Sequence, residues 1–547
     1  MSTSNRPPSA AATAPGETGS GRWARALGAG LLAGLVAAFV MTLVMTLLRV
    51  LAGVPLPVEL GADQFLPHIN VFTFIRLLGR FGGSTHAKEI SYFSGFAGQI
   101  ALGAVLGLVY GAIAERERGR APGHAWRFGV TPRGAIFAAA VVALLWIVTV
   151  ALFWQVLASN YRGLPPTWAA LATMAGLLVS YGSYGLALPL IYRAITSRAP
   201  LRRPAPLGAP VGRRAFVAGG VGVVAALASG GLIRLIFQRS TFGYDGTQYL
   251  GADVQPVTPN DRFYLVTKNL VDPYPRKEAW RLDVDGMVDH PRTYGFTDIA
   301  ALPSVTQATT LECISNGIGG GLISNAVWKG IPLHALIEAA GPQAGVTEVL
   351  FHGADGYLFN AAFDKAMARA TLVAYEMNGV PLPQRHGYPA RLIIPGYYGE
   401  GNVKWVTRIE LVGHGPEGYY ATQGWKAEFV HTMSRIDGPR DGQALKLSGA
   451  ATVPLHGVAF AGDRGVSKVE VSVDGGRTWR EATIAYRPSR LTWAFWRYDW
   501  RPTGSGAHHL LVRATDGTGT LQPDEKIGSA PAGSSGRHKI TVHVVAA

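Results

Sequence analysis

Cys313 is the only cysteine in 547 residues, and it stands in Thr310-Leu311-Glu312-Cys313-Ile314-Ser315-Asn316-Gly317, followed by Ile318-Gly319-Gly320-Gly321. A thiolate is a soft, strongly donating ligand for a transition metal, and neighbouring glycines let a bulky group approach the backbone. By itself a solitary cysteine is ordinarily a small buried hydrophobe. A second set of residues follows: Ala374-Tyr375-Glu376-Met377-Asn378-Gly379-Val380-Pro381, then His386-Gly387-Tyr388-Pro389-Ala390-Arg391, then Gly401-Asn402-Val403-Lys404-Trp405. His386, Arg391 and Lys404 can converge as donors around a phosphate, Arg391 with a planar fork and Lys404 with a point charge. Charges spaced in this way otherwise solvate a loop. His334, His352 and His414 read as structural or surface histidines, and Tyr375 and Glu376 as packing and turn residues.

Taken together and in order, these runs resemble the molybdopterin-binding domain of the sulfite oxidase family. That family pairs a Cys-x-x-Asn setting with Tyr-Glu-Met-Asn-Gly, His-Gly-x-Pro-x-Arg and Val-Lys-Trp runs, and Trp328-Lys329-Gly330-Ile331-Pro332-Leu333 matches as well. The resemblance covers roughly residues 250 to 545. It implies a molybdenum-molybdopterin cofactor, with Cys313 as the metal ligand. It also implies that His386, Arg391 and Lys404 hold the pterin phosphate, helped by the backbone of Asn402 and Val403 and by Asn269. Where sulfite oxidases follow the cysteine motif with arginine, Gly317 stands here, and where they place a sulfite-holding arginine this chain has Lys268. The family's active-site tyrosine falls near Trp425. Lys268 and Trp425 are therefore the implied catalytic partners of Cys313, and sulfite is not the expected substrate. The pattern is closer to the bacterial, membrane-anchored branch that includes a periplasmic methionine sulfoxide reductase. Two-electron chemistry follows, as oxygen-atom transfer on a sulfur-containing or related small substrate, in either direction.

Such residues need elements to hold them, and the chain divides by charge. Residues 1 to 240 hold 21 Lys and Arg against 6 Asp and Glu, whereas residues 241 to 547 hold 29 of each, so the net +15 belongs to the first part. That part is also apolar. After a disordered tail (1–24), five stretches approach the roughly 20 residues a bilayer requires: 27–51, 92–113, 134–157, 167–192 and 215–237. A membrane domain over 25–240 is expected. Arginines cluster before the first stretch, between the second and third, and between the fourth and fifth, which makes those connections cytoplasmic and everything after about residue 240 extracytoplasmic. The basicity is thus a topology signal, and no nucleic-acid partner is implied. Arg213-Arg214-Ala215-Phe216 reads equally as a twin-arginine export signal or as an ordinary anchor flank. Gly219, Gly220 and Gly222 are not a dinucleotide loop, since no strand precedes them.

Beyond residue 240, short apolar runs separated by Gly, Pro, Asp and Asn predict an α+β domain over 241–432. From 433 to 547 strands dominate. Val469, Val471 and Val473 alternate with polar residues before an Asp474-Gly475-Gly476 turn, which predicts an immunoglobulin-like β-sandwich. With one cysteine it forms without an internal disulfide. The sandwich also resembles the family's dimerisation domain, implying a homodimer. None of the five apolar stretches contains histidine and the chain lacks cysteines for a cluster, so no haem or iron-sulfur centre is expected, and quinone or a separate cytochrome is the electron partner. The alternatives are a membrane receptor or binding protein whose sulfite-oxidase-like domain carries no cofactor, or a transporter. The near absence of ionisable residues in the apolar stretches speaks against the transporter.

Overall fold

A computed structural model describes residues 19–120, 130–196, 213–238, 246–426, 429–447 and 452–546. The tail before Gly19, the basic connections at 121–129 and 197–212, and the side chains of Arg213 and Arg214 lie outside the described residues. The chain has an N-terminal helical region, a central α+β domain and a C-terminal β-sandwich. The described residues form two compact units: one from Met1–Leu47, Ser94–Leu152 and Gly176–Arg234, the other from Leu48–Phe93, Phe153–Ala175 and Leu235–Ala547.

The first unit is built from long helices: most of α1 (Gly19–Ala52), most of α4 (Ser84–Arg120), α5 (Pro132–Leu152), part of α6 (Pro166–Thr196) and most of α7 (Arg213–Gln238). Four of these, α1, α4, α5 and α6, are long and apolar enough to cross a membrane. The fifth apolar stretch lies within α7, whose part with described side chains includes the apolar segment Gly222–Ile236. Two boundaries differ from the sequence expectation. Helix α1 begins at Gly19, inside the expected tail, and α4 begins at Ser84, ahead of its apolar stretch, and so carries His86. Without a hydrophobic drive between helices in lipid, close backbone approach holds them together. A Cβ on Gly30 would lie 2.4 Å from the Gly107 carbonyl, and one on Gly34 would lie 2.3 Å from that of Gly103. Spacings of four residues on both α1 and α4 therefore bring the two backbones into contact.

The second unit holds the chemistry. Two short helices, α2 (Pro57–Phe65) and α3 (Val71–Arg80), form where the sequence suggested only a connection. Helix α2 is fixed by Glu59, whose carboxylate accepts from the Leu56 amide at 2.8 Å and from buried Arg49 at 2.9 Å. Arg49 also donates to the Val271 carbonyl at 3.2 Å and sits 3.6 Å from the Tyr161 ring centroid.

The α+β domain has two five-stranded sheets. One orders β1 (Arg281–Gly286), β2 (Arg292–Gly295), β5 (Glu348–Gly353), β6 (Leu358–Ala362) and β10 (Val406–Val412) as β2-β1-β10-β5-β6. The other runs from β3 (Val305–Glu312) through β4 (Ile323–Pro332) and β7 (Leu372–Met377) to β8 (Val380–Pro381), with β9 (Arg391–Ile393) paired to β7. Trp280, Leu282, Val349, Phe351, Ile409 and Leu411 are among the fully buried residues that close the core.

In the C-terminal sandwich, a sheet of four strands, in the order Met433–Gly438, Val453–Phe460, Ala494–Trp500 and Thr483–Tyr486, faces one of five. Val469 and Val471 point into the shared core with Trp496 and Val512, as their alternation with polar residues requires.

Candidate functional site

Cys313 follows β3 directly, and the antiparallel β3–β4 ladder fixes it. Glu312 pairs with Ile323, and the Cys313 amide then donates to the Leu322 carbonyl at 2.9 Å. Its sulfur lies 3.0 Å from the Ser315 hydroxyl, and 7% of the residue is exposed. Gly317, further along the loop, is exposed, and a Cβ on it would meet nothing within 4 Å. Asn316 closes the loop by donating to Glu312 at 2.8 Å and accepting from the Leu322 amide at 3.0 Å. Burial pushes the Glu312 carboxyl up to about 7 and that of Glu400 up to about 8. Neither acid was singled out in the sequence.

The second cluster closes around Arg391. Its guanidinium donates to the carbonyls of His386 and Asn402, each at 3.0 Å, and lies 5.1 Å from the Trp328 ring centroid. The Leu392 amide donates to the Val403 carbonyl, and the Ile394 amide to the Asn402 side chain. Gly387 makes this knot possible. Its φ is +110°, and a Cβ there would lie 2.9 Å from the Arg391 Cβ and 3.2 Å from the Lys404 Cα. The Tyr375–Gly379 run proves to be a hairpin turn: Asn378, at φ 52°, caps it and donates to the Asn260 side chain at 2.7 Å. Asn260 in turn offers its carbonyl to His386 Nε2 at 2.9 Å. That motif therefore orients the histidine, while Tyr375 packs against Phe296 and Glu376 pairs with Lys329. His352 and His414 pair with Glu410 and Glu348.

The electrostatics of the knot favour an anion. Arg391 is 4% exposed and, among the described residues, forms no ion pair with a carboxylate; burial lowers it to about 10. Burial lowers His386 to about 3, and the charges of Arg391, Lys404 and Arg385 push in the same direction. Arg391 has no carboxylate partner among the described residues, and a phosphate would supply the negative charge. Tyr264 connects the two halves of the site, since it is buried in the field of both Cys313 and Arg391. A cysteine held at a strand end, and a buried guanidinium without a carboxylate partner among the described residues, with Tyr264 in the field of both, fit a metal-pterin group that ends in a phosphate.

The remaining expected residues lie elsewhere in the same unit. Asn269 donates to Asp355 at 2.9 Å. Lys268 makes a 2.5 Å ion pair with Asp63 and donates to the Asp355 carbonyl at 2.9 Å. Burial pulls the Lys268 ammonium down, but the charges of Asp63 and Asp355 outweigh it and hold Lys268 above its usual value. Trp425 is buried in a cluster that also holds Ile314, the neighbour of Cys313, and Val71. Asp63 and Val71 were not foreseen, because no local motif marks them. Lys88 was read only as a loop charge, yet it reaches the Thr267 carbonyl at 2.6 Å.

The family model for the oxidoreductase molybdopterin binding domain matches residues 270–420, and that for the Mo-co oxidoreductase dimerisation domain matches 427–543. Fold and match together define a molybdopterin-binding oxidoreductase with an appended dimerisation domain. Sulfite oxidase of Arabidopsis thaliana is 25% identical over 49% of this chain and 82% of its own length. Mitochondrial sulfite oxidase of Homo sapiens is 32% identical over 49% of this chain and 57% of its own length. An NADH nitrate reductase of Cichorium intybus is 29% identical over 50% of this chain, which spans only 36% of that protein. Over residues 270–543 the chain is similar to the molybdopterin oxidoreductases of the sulfite oxidase type.

Proposed function

We propose that this protein is a membrane-anchored molybdenum-pterin oxidoreductase that transfers an oxygen atom to or from a sulfur-containing or related small substrate, on the extracytoplasmic side. The observation that carries the reading is Cys313 held at the end of β3, with buried Tyr264 in the field of both it and Arg391. When bound, the cofactor supplies a two-electron couple at which an oxygen atom is gained or lost. The chain's residues would do the holding: Cys313 would ligate the metal, and His386, Arg391 and Lys404 would bind the pterin phosphate, helped by the backbone of Asn402 and Val403 and by Asn269. Lys268 and Trp425 border the substrate. In the reductive direction the balance is X=O + 2H⁺ + 2e⁻ → X + H₂O, with electrons drawn from quinol or a separate cytochrome. The dimerisation-type sandwich supports a homodimer, and the alternating basic connections support an outward-facing catalytic domain.

The test is metal and pterin analysis of the full chain from a cofactor-competent host, coupled to a screen of sulfite, methionine sulfoxide and other S-oxides and N-oxides. Stoichiometric molybdenum with turnover of one of these is the expected result. Cofactor present with every oxide and sulfite inert would remove the oxygen-transfer assignment.

A further inference from the structure

Both positions expected to meet substrate touch the same short stretch of chain, and it comes from between the first two membrane-type helices. Asp63 of α2 pairs with Lys268 at 2.5 Å, with side-chain exposures of 9% and 3%. The Leu66 carbonyl, just after α2, accepts from the Gln423 side chain at 3.0 Å, and the Val71 amide donates to the Gln423 carbonyl at 2.8 Å. Val71 itself is fully buried in the cluster that contains Trp425 and Ile314. This stretch is held firmly by the Arg49–Glu59 pair at its start.

Charge and hydrogen-bonding capacity then define what can bind. Lys268 already faces the carboxylates of Asp63 and Asp355, and Lys88 brings a second cation to the neighbouring Thr267 carbonyl. An oxyanion arriving at Lys268 meets two carboxylates and finds that lysine engaged. The indole N–H of Trp425 is buried with no acceptor among the described residues. A buried donor without an acceptor is costly unless a ligand or water supplies one, and the strongly polar oxygen of an uncharged S-oxide or N-oxide is such an acceptor.

We propose that Pro57–Val71 is a structural part of the substrate site and that Asp63 is its specificity-determining residue, cancelling Lys268 so that the site takes neutral oxides and rejects oxyanions. This rests on the oxygen-transfer reading above. Asp63 acts through Lys268, and Trp425 donates to the substrate oxygen.

The test uses the full-length, molybdenum-loaded protein with a reduced viologen dye as electron donor and dimethyl sulfoxide, methionine sulfoxide and trimethylamine N-oxide as substrates. Sulfate is the competitor, and sulfite oxidation is followed with ferricyanide. The wild-type protein should reduce at least one oxide without competition by sulfate and should leave sulfite unoxidised. Asp63→Asn should bind sulfate competitively with an affinity raised at least about tenfold, because it leaves the buried Lys268 short of a counter-charge, while Asp63→Glu should behave as wild type. Sulfate competing equally against wild type and Asp63→Asn, or sulfite oxidised by the wild type as efficiently as the oxides are reduced, overturns the inference and leaves the oxygen-transfer reading standing. If Asp63→Asn does not retain molybdenum, the wild-type competition and sulfite assays decide alone. Absence of molybdenum, or of any oxide turnover, in the wild type removes both.

Discussion

Arg391 and Lys268 are both buried cations of the second unit, and they differ in what surrounds them. Arg391 donates to backbone carbonyls and, among the described residues, meets no carboxylate. Lys268 sits between Asp63 and Asp355. Burying a charge without a partner is expensive, so an unpaired cation is kept where a ligand completes it, while a paired one is already complete. The first arrangement belongs to a site that waits for an anion, and the second to one that has supplied its own.

Methionine at the two positions should therefore have opposite effects. Lys268→Met leaves Asp63 buried without its cation and should destabilise the protein by about 3–5 kcal/mol, visible as a large fall in thermal midpoint even without cofactor. Arg391→Met should weaken retention of the pterin by about 1.5–3 kcal/mol, roughly tenfold to a hundredfold, while leaving the cofactor-free protein as stable as before or more so. A matching loss of cofactor-free stability in both variants would break the contrast.

Acid should sharpen it further. His386 has a folded value of about 3 against an ordinary 6.5, so between those limits the unfolded chain binds a proton that the folded cofactor-free chain does not. Stability then rises with pH across that window and falls on acidification, by about 1.4 kcal/mol per pH unit. His386→Gln should flatten this slope in a pH series of denaturation midpoints. Bound phosphate should flatten it as well, since an anion beside the imidazole restores its protonation. The smallest stability change is expected at Trp425. Trp425→Phe removes a donor that has no partner in the protein, so the loss should stay below about 1.5 kcal/mol, and the KM for a neutral oxide should rise.

The order of motifs around Cys313, His386, Arg391 and Lys404 was readable because each motif is a local device: a strand end, a tight loop at Gly387, a hairpin at Asn378. The sandwich was readable from the alternation of Val469, Val471 and Val473. The partner of Lys268 was not, because Asp63 lies two hundred residues earlier in a short amphipathic stretch where an acid looks like dilution of loop charge. The contact between α1 and α4 was missed for a related reason. Gly30, Gly34, Gly103 and Gly107 look like ordinary glycines in apolar runs until the two helices are paired.

The position of Asp63 also bears on how this protein can be handled. A soluble version cut after α7, the natural choice for biochemistry, would retain every motif of the catalytic domain and would discard Asp63, Leu66 and Val71 together. Lys268 would then keep Asp355 but lose Asp63, the carboxylate proposed above to decide substrate choice. Substrate preferences measured on it would describe the truncation.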